Sequence, residues 1–283
     1  MTSRLRQIFT DPHYPGYRMW HNLVSIFIFG SCISLALESV PGLSDRYDTA
    51  FNWAEWTTVA FFTIDAAANI AFADNPWRYI FSFWGVIDLV SVLPSYLMLL
   101  NLTAVRSTKI IRLLRVARIL RVLKLARAAA DQAEGVDHHE TNPIAANVRI
   151  YFIIFFAVLM VSSTAMYYAE GHLYAPDVMA AEQDAINLET PAGQTPPVYM
   201  PTDPISGYPI PEDKRFYTSI PVAMWWCIVT LTTTGYGDMY PVTVMGRLVA
   251  AVTMFLGLVL FGILLNVIGK AMMVLFFGEK LPE

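Results

Sequence analysis

Charge is scarce in this chain. Asp, Glu, Lys and Arg make up 15% of its 283 residues against 55% hydrophobic, too little polar surface for a soluble domain of this length, and several uninterrupted apolar runs point to a polytopic membrane protein. Cysteine is scarcer still: Cys32 and Cys227 both lie inside apolar runs, so no disulfide framework is indicated and no redox compartment can be read. No small-residue cleavage site follows the apolar run 20–37, so the basic residues Arg4 and Arg6 introduce a first span rather than a signal peptide. No inverted repeat is visible, which speaks against a transporter. The net charge of -4 decides little, because charge is segregated along the sequence.

What the chain does contain is Thr232-Thr233-Thr234-Gly235-Tyr236-Gly237-Asp238, directly after an apolar run, 222–231, too short to cross a bilayer. A threonine-rich T-x-G-Y-G stretch behind a short helix is the pattern in which backbone carbonyls replace the hydration shell of K⁺. Aiming successive carbonyls at one axis requires backbone of alternating hand, and glycine takes positive φ without steric cost. Gly235 and Gly237 stand where that alternation needs them, the carbonyls of Thr233, Thr234, Gly235 and Tyr236 form the oxygen rings, and the Thr233 hydroxyl can add to the innermost. One chain supplies a quarter of each ring, so this reading requires a homotetramer.

A second stretch carries charge where charge is expensive. From Arg106 every third residue is basic: Arg106, Lys109, Arg112, Arg115, Arg118, Arg121, Lys124 and Arg127, with mostly apolar residues between. Each such residue costs about 2.5 to 3.5 kcal/mol at the centre of a membrane helix, so the row facing lipid would cost on the order of 20 kcal/mol. The cations must therefore face acids or water. A three-residue repeat forms a straight stripe only in a 3₁₀-helix, so part of this segment is expected to be 3₁₀. Glu55 near the outer end of the second span, Asp65 near its inner end and Asp88 in the third are the available acids. The competing reading of the row is a basic amphipathic helix on a membrane surface or on nucleic acid.

The stretch 221–241 resembles the pore loop of voltage-gated K⁺ channels, and Phe62-Thr63-Ile64-Asp65 is similar to the Phe-x-x-acid motif of that family's charge-transfer centre. The resemblance implies that Trp225 donates to Asp238 and that Trp226 packs against Tyr236, a cuff that supports the filter. It implies that Phe62 plugs the sensor between outer and inner water crevices, with Glu55, Asp65 and Asp88 as countercharges. It places Tyr240 in the outer vestibule, where four rings would hold external tetraethylammonium by cation–π contact. Gly257 matches the gating hinge, while the Pro-x-Pro bend of many animal members is absent and Leu264 stands near its place. Thr234 replaces the family's usual valine; it keeps β-branching and changes polarity, which bears on conductance and inactivation.

The layout follows. A lead-in at 1–18 precedes a four-helix voltage-sensor domain, 19–130, with spans at 20–38, 51–73 and 79–101 before the basic row, and with Pro94 kinking the third. A polar linker, 131–147, holds His138 and His139, a poor metal-ligand set. The pore domain, 148–277, has a span at 148–168, a proline-rich and acidic turret at 171–219 expected to be extended, the pore helix and filter at 220–238 and an inner helix from 244, with a tail at 278–283. The fold expected is an all-α membrane protein with six transmembrane helices and a re-entrant pore helix. Neither a tetramerisation domain nor a cyclic-nucleotide domain is expected on the chain, and it is expected to be no enzyme. K⁺ is the permeant ion, no organic cofactor or nucleic acid is implied, and the partners are membrane lipids and identical subunits. Arg4, Arg6, Arg18, Arg78, Arg149, Lys270 and Lys280 fall on one side, which puts both termini in the cytoplasm, and the compact layout without cytoplasmic domains suggests a plasma membrane of prokaryotic type. Two alternatives stay open: a K⁺ channel opened by hyperpolarisation or decoupled from voltage, and a non-conducting sensor subunit.

Overall fold

The computed structural model describes residues 7, 9, 14–73, 75–99, 118–125, 143–191 and 193–277. Arg106, Lys109, Arg112, Arg115, Arg127, His138 and His139 lie outside the described residues. Among the described residues the protein is helical, and its one strand-like pairing is an isolated bridge between Thr202 and Pro209. Its helices are α1 (Pro15–Glu38), α2 (Leu43–Phe72), α3 (Pro76–Ile80), α4 (Phe83–Leu99), α5 (Pro143–Ala169), α6 (Pro176–Glu189), α7 (Ile220–Leu231) and α8 (Val244–Phe277). Short 3₁₀ segments run over Arg118–Val122, Gly171–Tyr174 and Glu212–Lys214. Among the described residues three helical stretches, Pro15–Glu38, Ile144–Ala169 and Val244–Phe276, are long and apolar enough to cross a membrane, and Phe83–Leu97 and Ile220–Leu231 are shorter apolar helices.

Several boundaries differ from those read off the sequence, each for a local reason. The stretch containing Asp45, Arg46 and Asp48 is helical rather than a loop, because the turn closes at Gly42 (φ +77) and Asp45 falls in the first turn of α2, where negative charge suits the helix dipole. The irregularity expected there survives as a kink at Tyr47, with φ −121 and ψ 23. The third span is not continuous from residue 79. Asn75 accepts from the Arg78 N–H and Pro76 opens α3, which stops after Ile80, and α4 starts afresh at Phe83. α5 begins at Pro143, inside the expected linker, since proline fits the first turn of a helix.

The largest correction concerns the turret, expected to be extended throughout. Residues 176–189 form a 14-residue α-helix, because Pro176 sits in the first turn and the next proline is Pro191. The segment beyond is pinned to that helix: the Gln183 side chain donates to the Pro197 carbonyl at 3.0 Å and accepts from the Tyr199 N–H at 2.7 Å.

The chain forms two compact units, the described residues of Met1–Leu35, Asp48–Val161 and Leu260–Glu283, and those of Ala36–Tyr47 and Ser162–Val259. Ile28, Val59, Phe62, Val122 and Leu125 are fully or almost fully buried in the first. In the second, Tyr217, Ile220, Ala223 and Cys227 form the buried centre behind α7, and Met166 and Ile210 are equally enclosed. Within lipid such burial stabilises through close packing rather than through escape from water.

Candidate functional site

The first unit contains a buried ion-pair network. Arg118–Val122 is a 3₁₀-helix, so the expectation of 3₁₀ geometry in part of the basic row is met there, and residues three apart share one edge. The consequence is visible at Glu55, which serves two successive rungs: its oxygens take the Arg121 guanidinium at 2.6 and 2.9 Å, and Arg118 Nε lies 3.5 Å away. Arg121 is 1% exposed and also donates to the Ser91 carbonyl at 2.9 Å and to the Ser95 and Ser31 hydroxyls. One rung further on, Lys124 Nζ lies 3.1 Å from Asp65 Oδ2 and 3.0 Å from Asp88 Oδ1, with all three residues buried. An uncompensated buried cation costs several kcal/mol, so Lys124 is stable here because two acids converge on it.

Phe62 borders both rungs. Its ring is fully buried, with Lys124 Nζ 4.7 Å and Arg121 Cζ 5.9 Å from the centroid, within cation–π range. The structure thus brings Glu55, Phe62, Asp65, Asp88, Arg118, Arg121 and Lys124 together from α2, α4, the 3₁₀ segment and the helical turn that follows it at 123–125. Ser91, Ser95, Trp20 and Tyr79 also contribute, and none carried a sequence signal, because serine, tryptophan and tyrosine in apolar helices are read first as packing.

The second site begins at α7. Ser219 caps it by accepting from the Val222 N–H, and Pro221 occupies its first turn. Its C-terminal carbonyls turn the chain: Thr233 N–H donates to Thr230, and the N–H groups of Thr234 and Gly235 both donate to Val229. Beyond this point the backbone alternates in hand, with positive φ at Thr233 (59), Gly235 (59) and Gly237 (77). The glycines were expected there. Thr233 was not, since a β-branched residue at positive φ is an outlier, and such strain is kept where surrounding structure enforces it.

The Trp225 indole N–H donates to Asp238 Oδ2 at 2.9 Å. Within the chain the ring against Tyr236 is Trp225, stacked at 6.0 Å, and not Trp226. Trp226 is buried and meets Tyr217 edge-on at 5.8 Å. Adjacent helix residues point about 100° apart, so only one of the pair can face the loop. Residues 232–238 are all exposed on the single chain, and Tyr240 is half-exposed, tilted against Phe216 at 5.3 Å.

Gly257 has a packing reason of its own. A Cβ there would lie 3.0 Å from Leu231 Cα and 3.2 Å from its carbonyl oxygen, so glycine lets α8 pass close to the end of α7. α8 runs as one helix through this point.

Two acids that the sequence reading did not single out hold the start of α8. Glu170, fully buried, accepts from the Val242 and Thr243 N–H groups and from the Thr243 hydroxyl at 3.0 to 3.2 Å. Asp203, in the turret, accepts from Ser206, from the Ile205 N–H and from the Val244 N–H, the first of the helix. Burial pushes the Glu170 carboxyl up, and its donors do not offset that push. Burial also works to raise Asp203, but the Ser206 hydroxyl and the backbone N–H groups outweigh it and hold the carboxyl below the usual carboxylate range. A group whose folded pKa is depressed contributes stability above its unfolded value, about 3.9, and loses it as pH falls through the folded value. Acidification through and below about pH 4 is therefore expected to loosen the turret from α8, and Asp203→Asn to lower thermal stability at neutral pH while flattening its loss on acidification. Thermal unfolding of both proteins across pH checks this; parallel curves would exclude it.

An all-α membrane protein that seats a row of cations on buried acids and ends a short apolar helix in a loop of alternating hand belongs to the class of ion channels. The model of the family described as "Ion transport protein" matches residues 17–275, and the chain belongs to that family. It is 27% identical over 263 residues, 89% of this chain and 52% of the relative, to a candidate potassium channel protein of Rhodopseudomonas palustris. It is 26% identical over 310 residues to the voltage-gated potassium channel KCNC1 of Mus musculus, 99% of this chain and 55% of that one. A stretch of 54 residues, 19% of this chain and 12% of the relative, is 48% identical to the voltage-gated potassium channel regulatory subunit KCNG3 of Homo sapiens. The chain spans about half the length of the first two. The resemblance to voltage-gated potassium channels is borne out by these matches.

Proposed function

We propose that the chain is one subunit of a homotetrameric, voltage-gated, K⁺-selective channel, with six membrane spans, α7 as a re-entrant pore helix and both termini in the cytoplasm of a prokaryotic-type plasma membrane. On this reading residues 19–130 are the sensor, 131–147 the linker and 148–277 the pore, and the protein moves K⁺ passively and is no enzyme. The carbonyls of Thr233, Thr234, Gly235 and Tyr236 are assigned to the ion, Gly237 to the outer end of the filter, Trp225, Trp226 and Asp238 to its support, and Tyr240 to the vestibule. Gly257 is assigned to bending of the inner helix, a role its close packing on Leu231 leaves testable.

The observation that carries the reading is the alternation of hand at Thr233, Gly235 and Gly237 immediately beyond α7. In that backbone successive carbonyls can turn to the same side, and a fourfold arrangement would close them into rings. The exposure of residues 232–238 on the single chain supports the tetramer, since a bare row of carbonyls needs partners within a membrane. The buried rungs at Glu55, Asp65 and Asp88 support the voltage response. Moving one charge through 100 mV is worth about 2.3 kcal/mol, so three or four charges in each of four subunits supply roughly 30 kcal/mol.

The test is flux of rubidium or K⁺ from liposomes holding the purified chain alone, followed by voltage steps of both signs in a planar bilayer. K⁺ current that excludes Na⁺ and follows potential is expected. Equal passage of Na⁺, or no flux at any potential, would overturn the reading.

A further inference from the structure

The two acids that seat Lys124 are themselves held from outside the basic row. Asp65 turns Oδ2 to the ammonium, and its Oδ1 accepts from the Trp20 indole N–H on α1 at 2.9 Å, with the Asn69 amide at 3.4 Å. Asp88 turns Oδ1 to the ammonium, and its Oδ2 accepts from the Tyr79 hydroxyl on α3 at 2.5 Å. Each carboxylate is thus shared between the cation and a neutral donor that cannot travel with it.

Both donors are built in. Trp20 is wedged against Phe61, ring centroids 5.3 Å apart, and Phe61 stacks on Phe27 at 3.9 Å. Tyr79 is fixed by the break between α3 and α4: the Ser82 hydroxyl donates to the Tyr79 carbonyl at 2.6 Å and accepts from the Gly85 N–H at 3.1 Å. A Cβ on residue 85 would lie 2.0 Å from that same carbonyl oxygen, so glycine is required for α4 to start so close to Tyr79.

We propose that Trp20 and Tyr79 are positioning residues of the cation seat: by each occupying one carboxylate oxygen they suit it to an ammonium over a guanidinium, and so set the potential at which the basic row moves. The inference rests on the voltage-gated reading above. An ammonium is a compact point charge that needs one oxygen from each acid, whereas a guanidinium forks onto two. With the neutral donors in place Lys124 is fully served and an arginine is not. Once the donors are removed, each acid loses that hydrogen bond while Lys124 is seated, and the oxygen can instead be met by the fork of Arg121 when the row shifts inward by one rung. The state with Lys124 seated then loses ground.

The test is gating-charge displacement of the full chain against voltage in Trp20→Phe, Tyr79→Phe and the double variant; Tyr79→Phe deletes only the O–H, while Trp20→Phe deletes the indole N–H and keeps a smaller aromatic ring, so the tyrosine variant is the cleaner of the two. Each variant deletes a hydrogen bond to a charged acceptor and is expected to change the sensor equilibrium about tenfold, shifting the midpoint to more positive potentials. The same pair introduced into Lys124→Arg is expected to shift it much less, because the guanidinium fills the vacated oxygens; a purely structural role for the two rings predicts the same shift in both backgrounds. An unmoved midpoint, or equal shifts with lysine and arginine at 124, overturns the proposal and leaves the sensor reading standing. Absence of any charge displacement in the unaltered chain overturns the sensor reading and this proposal with it.

Discussion

Alanine at Gly235 or Gly237 is expected to cut K⁺-selective flux at least about tenfold without unfolding the protein. Neither position is crowded, since an added Cβ would meet nothing within 4 Å in the chain, so the effect comes from the backbone. At φ +59 and +77 an L-residue pays about 1 to 2 kcal/mol, and the cheapest relief is to rotate the peptide and swing its carbonyl away from its fellows. In the proposed tetramer four such relaxations would add, and each 1.36 kcal/mol is a factor of ten in rate, so flux should fall at least about tenfold. D-alanine, which prefers positive φ, separates strain from size: installed at residue 235 by chemical ligation it should restore flux that L-alanine removes. Rubidium flux from liposomes measures both, with assembly checked by size. Undiminished flux in Gly235→Ala would remove these carbonyls from the conduction path.

The neighbouring threonine shows where reading from sequence alone stops. Gly235 and Gly237 are legible because glycine is the residue that left-handed backbone favours, but Thr233 takes φ 59 through tertiary constraint, and nothing in its identity announces that. The basic row is legible for a similar reason: a cation every third residue in apolar sequence requires acids nearby, and Glu55, Asp65 and Asp88 are the acids available in the neighbouring apolar stretches. Which donors hold those acids is not legible, since Trp20 and Asp65 are 45 residues apart and no spacing rule links them. Most elements failed at their ends rather than in their middles, although the turret helix at 176–189 was missed whole. The start of α2, the break before α4 and the helix in the turret turn on single caps and prolines, whose effect of about 1 kcal/mol is smaller than the hydrophobic pattern that dominates a reading by eye. Glu170 and Asp203 were passed over because each works by accepting backbone N–H groups, a role any acid in a loop could have.

Removing Glu55 while leaving Arg121 in place should be the most damaging change in the first unit. A surface ion pair is worth about 0 to 1 kcal/mol, and if this were one, Glu55→Gln would hardly register. Arg121 is 1% exposed, however, and its charge is answered by Glu55 through two contacts of 2.6 and 2.9 Å, with serines supplying the remainder. Taking away one member of such a buried pair costs about 3 to 5 kcal/mol, most of it the penalty of the stranded cation. Glu55→Gln is therefore expected to lower the thermal unfolding temperature in lipid markedly, and the double change Glu55→Gln with Arg121→Gln to recover most of the loss. A double variant no better than the single one would show that the pair is not the source of the cost. The same arithmetic bears on motion. Because Arg118 Nε already lies 3.5 Å from Glu55 while Arg121 is bound, a one-rung shift hands the acid from one guanidinium to the next without leaving either charge alone in an apolar interior. Arg118→Gln should accordingly leave stability nearly unchanged and act on the voltage midpoint, whereas Glu55→Gln acts on both.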